Sequence, residues 1–367
     1  MRHGLVLLLL PAVGLFGPSS DAAPVCDGDF HIVKRFDFGG ETTLHDVTVT
    51  DTGDVWALGS YRADRRDHVL VLHRGADGWE QVPVADPSGR EFAATGIDVD
   101  ETGAVWLSGF RFEEDLIESA AVLRYDGAEW SDVPTPDFRY DSPLWDVDAV
   151  SSTDVWAVGA FEHPDTQNEE TLALHYEGDS FTQEPTPSPG YIVELRSVEA
   201  TNSTDVWAVG DGDRRPMALH WDGSTWTERR FPDFRSFSPL SVAAHADGRA
   251  WAVGLADVHK LRSKLVEWNG TAWEKVRIPN PDGHDLLIGI DVSGDRGWAV
   301  GERRLARNDD FVLAWDGTDW ARAHAGTPGR SSGLLQVAIG PDQTAWAVGY
   351  FYPRDGPSRA MVQRACI

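Results

Sequence analysis

The chain is poor in cysteine, with two in 367 residues, and in lysine, with four, while it carries 59 aspartates and glutamates. Two cysteines exclude a disulfide-knit small scaffold and a four-cysteine zinc site. The shortage of positive charge leaves a formal net charge of -27, which disfavours a phosphate-backbone partner and removes nucleic acid from the expected ligands. Beyond the N-terminus no apolar run approaches the roughly 20 residues that cross a bilayer, so no membrane anchor is expected. Sustained helical periodicity is missing. No nucleophile elbow, zinc helix, phosphate loop or dinucleotide fingerprint occurs in its required context, and no residue is singled out as catalytic.

What is present begins with a processing signal. Met1-Arg2-His3 is a short basic start, Gly4 to Phe16 is apolar, and small residues follow. Cleavage after Ala22 fits the small-residue rule, with Ser20 and Ala22 at the two critical positions. Residues 1–22 are therefore expected to be a signal peptide and 23–367 a single exported, soluble domain.

A six-residue phrase, cleanest as Asp154-Val155-Trp156-Ala157-Val158-Gly159, organises the rest. Its tryptophan recurs seven times, as Trp56, Trp106, Trp156, Trp207, Trp251, Trp298 and Trp346, each followed three residues later by glycine. The steps between them are 50, 50, 51, 44, 47 and 48 residues, a period that marks repeated supersecondary units. Around Trp207 the unit reads as four strands: Leu195–Ala200, Asp205–Gly210, Met217–Trp221 and, after an Asp222-Gly223 turn, Trp226–Phe231. Alternation, aromatic and β-branched content and Gly/Pro/Asp punctuation support each. The expected fold is all-β: a seven-bladed β-propeller with four antiparallel strands per blade.

The termini predict how the ring closes. After Trp346 the chain has only one more strand, Ala360–Cys366, whereas His31–Phe36 near the N-terminus matches an outer strand without its blade. The last blade is thus expected to be composite, closed by the N-terminal strand, which leaves no open edge. Cys26 and Cys366 fall where other blades have a continuous turn, so a disulfide between them would replace the missing covalent link in an exported protein. The loop closed is nearly the whole chain, for which chain entropy gives at most about 5 kcal/mol.

The Trp-Asp pairs Trp221-Asp222 and Trp315-Asp316, with the composite blade, resemble WD-repeat propellers, although the Gly-His pair of that family is absent. The turn before Trp226 resembles the Asp-box of sialidase-type propellers, without the residue that family places between Asp and Gly. More closely, the chain is similar to the tandem Asp-Val-Trp-Ala-Val-Gly propeller repeats of secreted bacterial proteins. That resemblance covers the mature chain and implies a fold, with no catalytic residues.

Function on a repeated scaffold belongs where the repeats differ. The second-to-third and fourth-to-first connections are long and irregular and emerge on one face. Pro136-Asp137-Phe138-Arg139-Tyr140-Asp141-Ser142-Pro143-Leu144 nearly repeats as Pro232-Asp233-Phe234-Arg235-Ser236-Phe237-Ser238-Pro239-Leu240. Aromatic and arginine side chains on such loops suit sugar stacking or carboxylate capture. Phe138, Arg139, Tyr140, Phe234, Arg235 and Phe237, with His163 and Tyr352 from second-to-third loops, are the candidate ligand-binding residues. His73, His175 and His220 occupy one repeat position, so they are spread around the ring and are not a metal set. The first strands place Asp98, Asp148, Glu199 and Asp291, among other acids, near the axis, as candidates for Ca²⁺ or for a general acid and base.

The sequence thus reads as a secreted, monomeric binding module for a glycan or an extracellular protein, with no obligatory cofactor. The alternatives are an extracellular polysaccharide hydrolase or lyase working at the channel mouth, and a structural partner in a secreted complex.

Overall fold

A computed structural model describes residues 27–113, 117–166, 168–187, 193–212, 215–232, 237–257, 262–279, 284–304 and 308–366. Its 28 strands form seven four-stranded antiparallel sheets, which stand as blades around a central channel. No helix long and apolar enough to cross a membrane is found among the described residues. The inner strands of blades 1 to 7 are Thr42–Val49, Phe92–Val99, Leu144–Ser151, Val193–Asn202, Ser238–Ala244, Asp285–Ser293 and Ser331–Ile339.

The seventh blade is composite, as the repeat arithmetic requires. Its sheet runs Ser331–Ile339, Ala345–Tyr352, Arg359–Ala365 and then His31–Phe36 from the other end of the chain. His31 pairs with Arg364 and Phe36 with Ala360. Gly28 N–H donates to the Cys366 carbonyl at 3.2 Å, and Phe30 N–H to the His324 carbonyl at 2.9 Å, so the N-terminal segment is stitched to blades 7 and 6 together.

The hydrophobic core is not one mass. Seven clusters each span two neighbouring blades. The repeated tryptophans fill these seams and are buried. Trp106 meets Tyr176 of the next blade at 5.1 Å, Trp156 meets Trp221 at 5.1 Å, and Trp251 meets Trp315 at 5.0 Å between ring centroids. In the closing blade, where no third-strand aromatic follows, Phe30 takes that place against Trp298 at 4.8 Å. Apolar burial of side chains this large dominates blade adhesion.

The glycine of the repeated phrase has a steric origin. Gly159 lies opposite the inner strand, and a Cβ on it would collide with the carbonyl oxygen of Pro143. The same collision, with the equivalent inner-strand carbonyl, awaits a Cβ on the glycine of every other blade. Close approach of backbones, not an unusual φ, selects the residue.

Each inner strand also carries a bulge just past that contact. The register slips between Leu44 and Asp46, Ala94 and Gly96, Leu144 and Asp146, Leu195 and Ser197, Pro239 and Ser241, Leu287 and Gly289, and Leu334 and Gln336. A bulge re-aims the next side chain, and here it aims it at the neighbouring blade. The outer strand of blade 4 is shorter than its sequence reads, covering Trp226–Glu228 rather than Trp226–Phe231. Arg229 N–H still reaches the Ala218 carbonyl at 2.8 Å, after which the chain turns away before Pro232.

Candidate functional site

The short first-to-second and third-to-fourth turns make one face of the ring, and its conspicuous residues are structural. His73, His175 and His220 lie over the tryptophans of their own blades, with ring centroids 4.2, 4.0 and 4.5 Å apart. His175 Nε2 sits 2.8 Å from Asp154 and His220 Nε2 2.8 Å from Asp205. The hydrogen bond from His220 holds the Asp205 carboxyl below its ordinary range. In blade 2 Arg124 takes the histidine's place over Trp106, 3.5 Å from Asp100. These are clamps on the blade seam.

The inner strands bring Asp98, Asp148, Glu199 and Asp291 together on the wall of a cavity of about 430 Å³, with Asp46 and Asp146. Most of them are tied to backbone. Asp46 accepts from Ile97 N–H at 2.8 Å, Asp146 from Val198 N–H at 2.9 Å, Asp98 from Ala149 N–H at 2.8 Å and Asp291 from Ile339 N–H at 2.6 Å. Each of these amides belongs to the next blade, so these acids are interblade ties, Asp46 and Asp146 at the bulge itself and Asp98 and Asp291 two residues past it. Ser197 and Ser241 do the same for Val242 and Ile290.

Each acid is half-buried, its open side facing the confined channel rather than bulk water. Burial, reinforced by mutual repulsion, pushes Asp146 up to about 7 and Asp291 to about 6, and holds Asp46, Asp148 and Glu199 well above the ordinary carboxylate range. Among the described residues no three His, Cys, Asp or Glu side chains are arranged to hold a metal ion. The channel acids therefore do not fit a Ca²⁺ cage, which needs six or more converging oxygens.

The opposite face carries the long loops, and there the candidate residues separate. Tyr140 and Tyr352 are 37% and 42% exposed. Arg139 is exposed, in the left-handed backbone region at φ 62°, with its N–H donating to Asp137 Oδ1 at 3.1 Å. Phe138 is instead the anchor of this loop. It packs against Phe161 at 5.3 Å and joins the seam between blades 2 and 3. Phe237 is 4% exposed and lies in the core between blades 4 and 5, so the structure removes it from the loop surface. It begins the inner strand's approach to the ring, where the neighbouring blade seals over it. His163 Nδ1 accepts from Asp165 N–H at 3.2 Å and so closes its own loop. Phe234 and Arg235 lie outside the described residues.

Below Arg139 is a hollow of about 480 Å³ bordered by Arg90, Arg111, Glu113 and Asp132. Arg111 is almost buried, bound to Asp86 at 2.6 Å and Asp132 at 2.7 Å, and Arg90 pairs with Glu113. Burial pushes the Asp86 carboxyl up, but the guanidinium outweighs it and holds the group below its ordinary range. This pair braces the loop.

Phe112, which sequence reasoning missed, is 39% exposed at the end of Val105–Phe112. That strand runs past the glycine of its phrase as Phe110-Arg111-Phe112, and the alternation was the available signal. Phe110 lies 5.4 Å from Phe112 and 6.1 Å from Trp145, the residue at the bulge of blade 3. Around this aromatic group the carboxylates crowd. Glu118 is the cross-strand partner of Phe112, and Glu162 and Glu169 directly oppose each other. Burial first, and then a neighbouring acid, raises Glu118 and Glu169; burial also raises Glu194. Arg196, in contact with Glu194 and 3.6 Å from Asp211, is the cation among them.

Seven four-stranded blades in a ring, with one loop-bearing face and one composite blade, define the protein as a seven-bladed β-propeller. Among solved structures it is similar to YCF48 bound to D1 peptide, with a TM-score of 0.58 over 91% of this chain and 95% of that one, at 13% identity. Likeness at that identity concerns the fold. No family model matches the chain, and no curated protein matches it by sequence.

Proposed function

We propose that this protein is an exported binding module that holds a segment of an extracellular protein, or a glycan, on its loop face, and that it works as a monomer. One observation carries the reading. The large hydrophobic side chains exposed among the described residues are Phe112, Tyr140 and Tyr352, and all three stand on that face. Exposed aromatics beside an unburied arginine form the kind of platform that protein and sugar ligands use. The likeness to a propeller whose solved structure contains a peptide supports the protein ligand.

Capture from culture supernatant and a glycan array, each run with the mature wild type and with Phe112→Ser/Tyr140→Ser/Tyr352→Ser, test the reading. Loss of the captured partner or glycan signal in the folded variant is the expected result. Retention of every signal would overturn it. The rival reading, a hydrolase, draws on Asp146, which at a pKa of about 7 has the proton affinity of a general acid. It requires polysaccharide turnover that disappears in Asp146→Asn.

Export carries with it the Cys26–Cys366 disulfide. Cys366 is buried beside the Gly28 amide, while Cys26 lies outside the described residues. Intact mass of the purified, alkylated protein should show neither cysteine modified until the sample is reduced. Two alkylated thiols without reductant would remove the disulfide from the account.

A further inference from the structure

We infer that the aromatic group at Phe112 is the seat of a basic, extended peptide segment, with an arginine or lysine side chain laid on the Phe112 ring. The inference rests on the reading of the loop face as the binding face, and it names the class of ligand.

Three observations converge on it. Phe112 is exposed, while Phe110 and Trp145 behind it are half-buried and make a floor for it. A bare aromatic ring on a supported floor offers its negative face to a cation.

The second observation is charge. Glu118 stands directly across the strand from Phe112, its backbone N–H donating to Asp141 Oδ1 at 2.9 Å. After burial, Asp141 adds to the raising of both Glu118 and Glu169, and its carbonyl accepts from Glu162 N–H at 2.8 Å. The cation that bears on Glu169 is Arg196, and it is already shared by Glu194 and Asp211. A cationic ligand would neutralise what the fold leaves uncompensated.

The third is the Glu162–Glu169 pair. Like charges directly opposite on adjacent strands destabilise a sheet, and Glu162 and Glu169 are such a pair. The arrangement has a purpose if the missing positive charge arrives from outside. An extended segment suits the site, since its acids are contributed in sequence by blades 2, 3 and 4. The net charge of -27 would also steer a basic partner in from a distance. An acidic polysaccharide meets repulsion here, and a neutral one leaves the charge of the carboxylates uncompensated.

Fluorescence anisotropy with a short labelled alternating Arg-Gly peptide, and its Glu-Gly counterpart, tests the inference on the mature protein. The Arg-Gly peptide should bind saturably and the Glu-Gly peptide should not. Phe112→Ser leaves the charge unchanged and should weaken binding about tenfold, the worth of one well-placed cation–π contact. Glu118→Gln/Glu169→Gln should weaken it at least as much. The control Asp77→Asn/Glu177→Gln removes two exposed carboxylates from the opposite face and should leave binding unchanged.

If the control weakens binding as much as the loop-face variants, or Phe112→Ser has no effect, attraction is to overall charge and the inference fails. If it fails in that way while Phe112→Ser/Tyr140→Ser/Tyr352→Ser still abolishes capture from supernatant, the loop face binds a ligand of another class. If the triple variant keeps all capture, the loop-face reading itself is wrong.

Discussion

Gly159→Ala should cost roughly 3 kcal/mol or more, enough to leave much of the protein unfolded or insoluble at 37 °C. One methyl group is an unusually small cause for so large an effect, and the reason is geometric. The Cβ would enter the space of the Pro143 carbonyl oxygen, which is main chain and is held by the inner strand of the same blade. Main chain cannot rotate out of the way as a side chain can, so the strands must part. Thermal denaturation of the purified variant measures the loss. Gly89→Ala is the comparison: its φ of 72° is awkward for alanine, but nothing lies within 4 Å of the added carbon. It should cost about 1 kcal/mol. Equal losses at the two positions would mean that backbone freedom, not space, maintains the repeated glycine.

The second large effect is with pH. The channel acids have folded pKa values above those of the unfolded chain, with Asp291 at about 6 and Asp146 at about 7. A group of this kind favours the folded state while it is protonated. Its contribution is complete below the ordinary carboxylate value and is lost as pH rises through 6 and 7. The seam acids behave in the opposite sense. Asp86, Asp100 and Asp205 are held below their ordinary values, and their contribution is lost as pH falls through that range.

The stability maximum should accordingly lie near the ordinary carboxylate value, about pH 4, with a fall of at least about 2–3 kcal/mol by pH 8. Urea midpoints across that interval measure it. Glu199→Gln removes an acid held high by burial and by Asp148 and Asp291. It should raise stability at pH 8 and flatten the slope, and a profile rising from pH 5 to pH 8 would contradict the account.

The ring was legible in the sequence because its causes are local and repeated. The tryptophan and the close-approach glycine recur in every blade and the Asx-Gly turn in several; their period implies seven blades, and the unmatched strands at the two termini imply the composite closure. What the sequence could not show depends on two blades at once. The reach of Asp46, Asp98, Asp146 and Asp291 across the seam leaves no mark in composition, yet it makes them ties to the next blade's amides. Phe237 belongs to a near-perfect repeat of the loop that exposes Tyr140, but a neighbouring blade buries it. Phe138 reads as a ligand platform and is the loop's anchor. Conversely, Glu118, Asp141, Glu169 and Glu194 are far apart in sequence, and only the ring makes them neighbours.

The outer strand His31–Phe36 is made before all seven inner strands, and its partner Arg359–Ala365 only after them. Until that partner arrives, blade 7 has an unfilled edge and the seam around Trp298 lacks Phe30. Folding can proceed blade by blade but cannot be sealed before Arg359–Ala365 is made. A truncated product would thus carry an unpaired strand at each end, and quality control could recognise it by those alone.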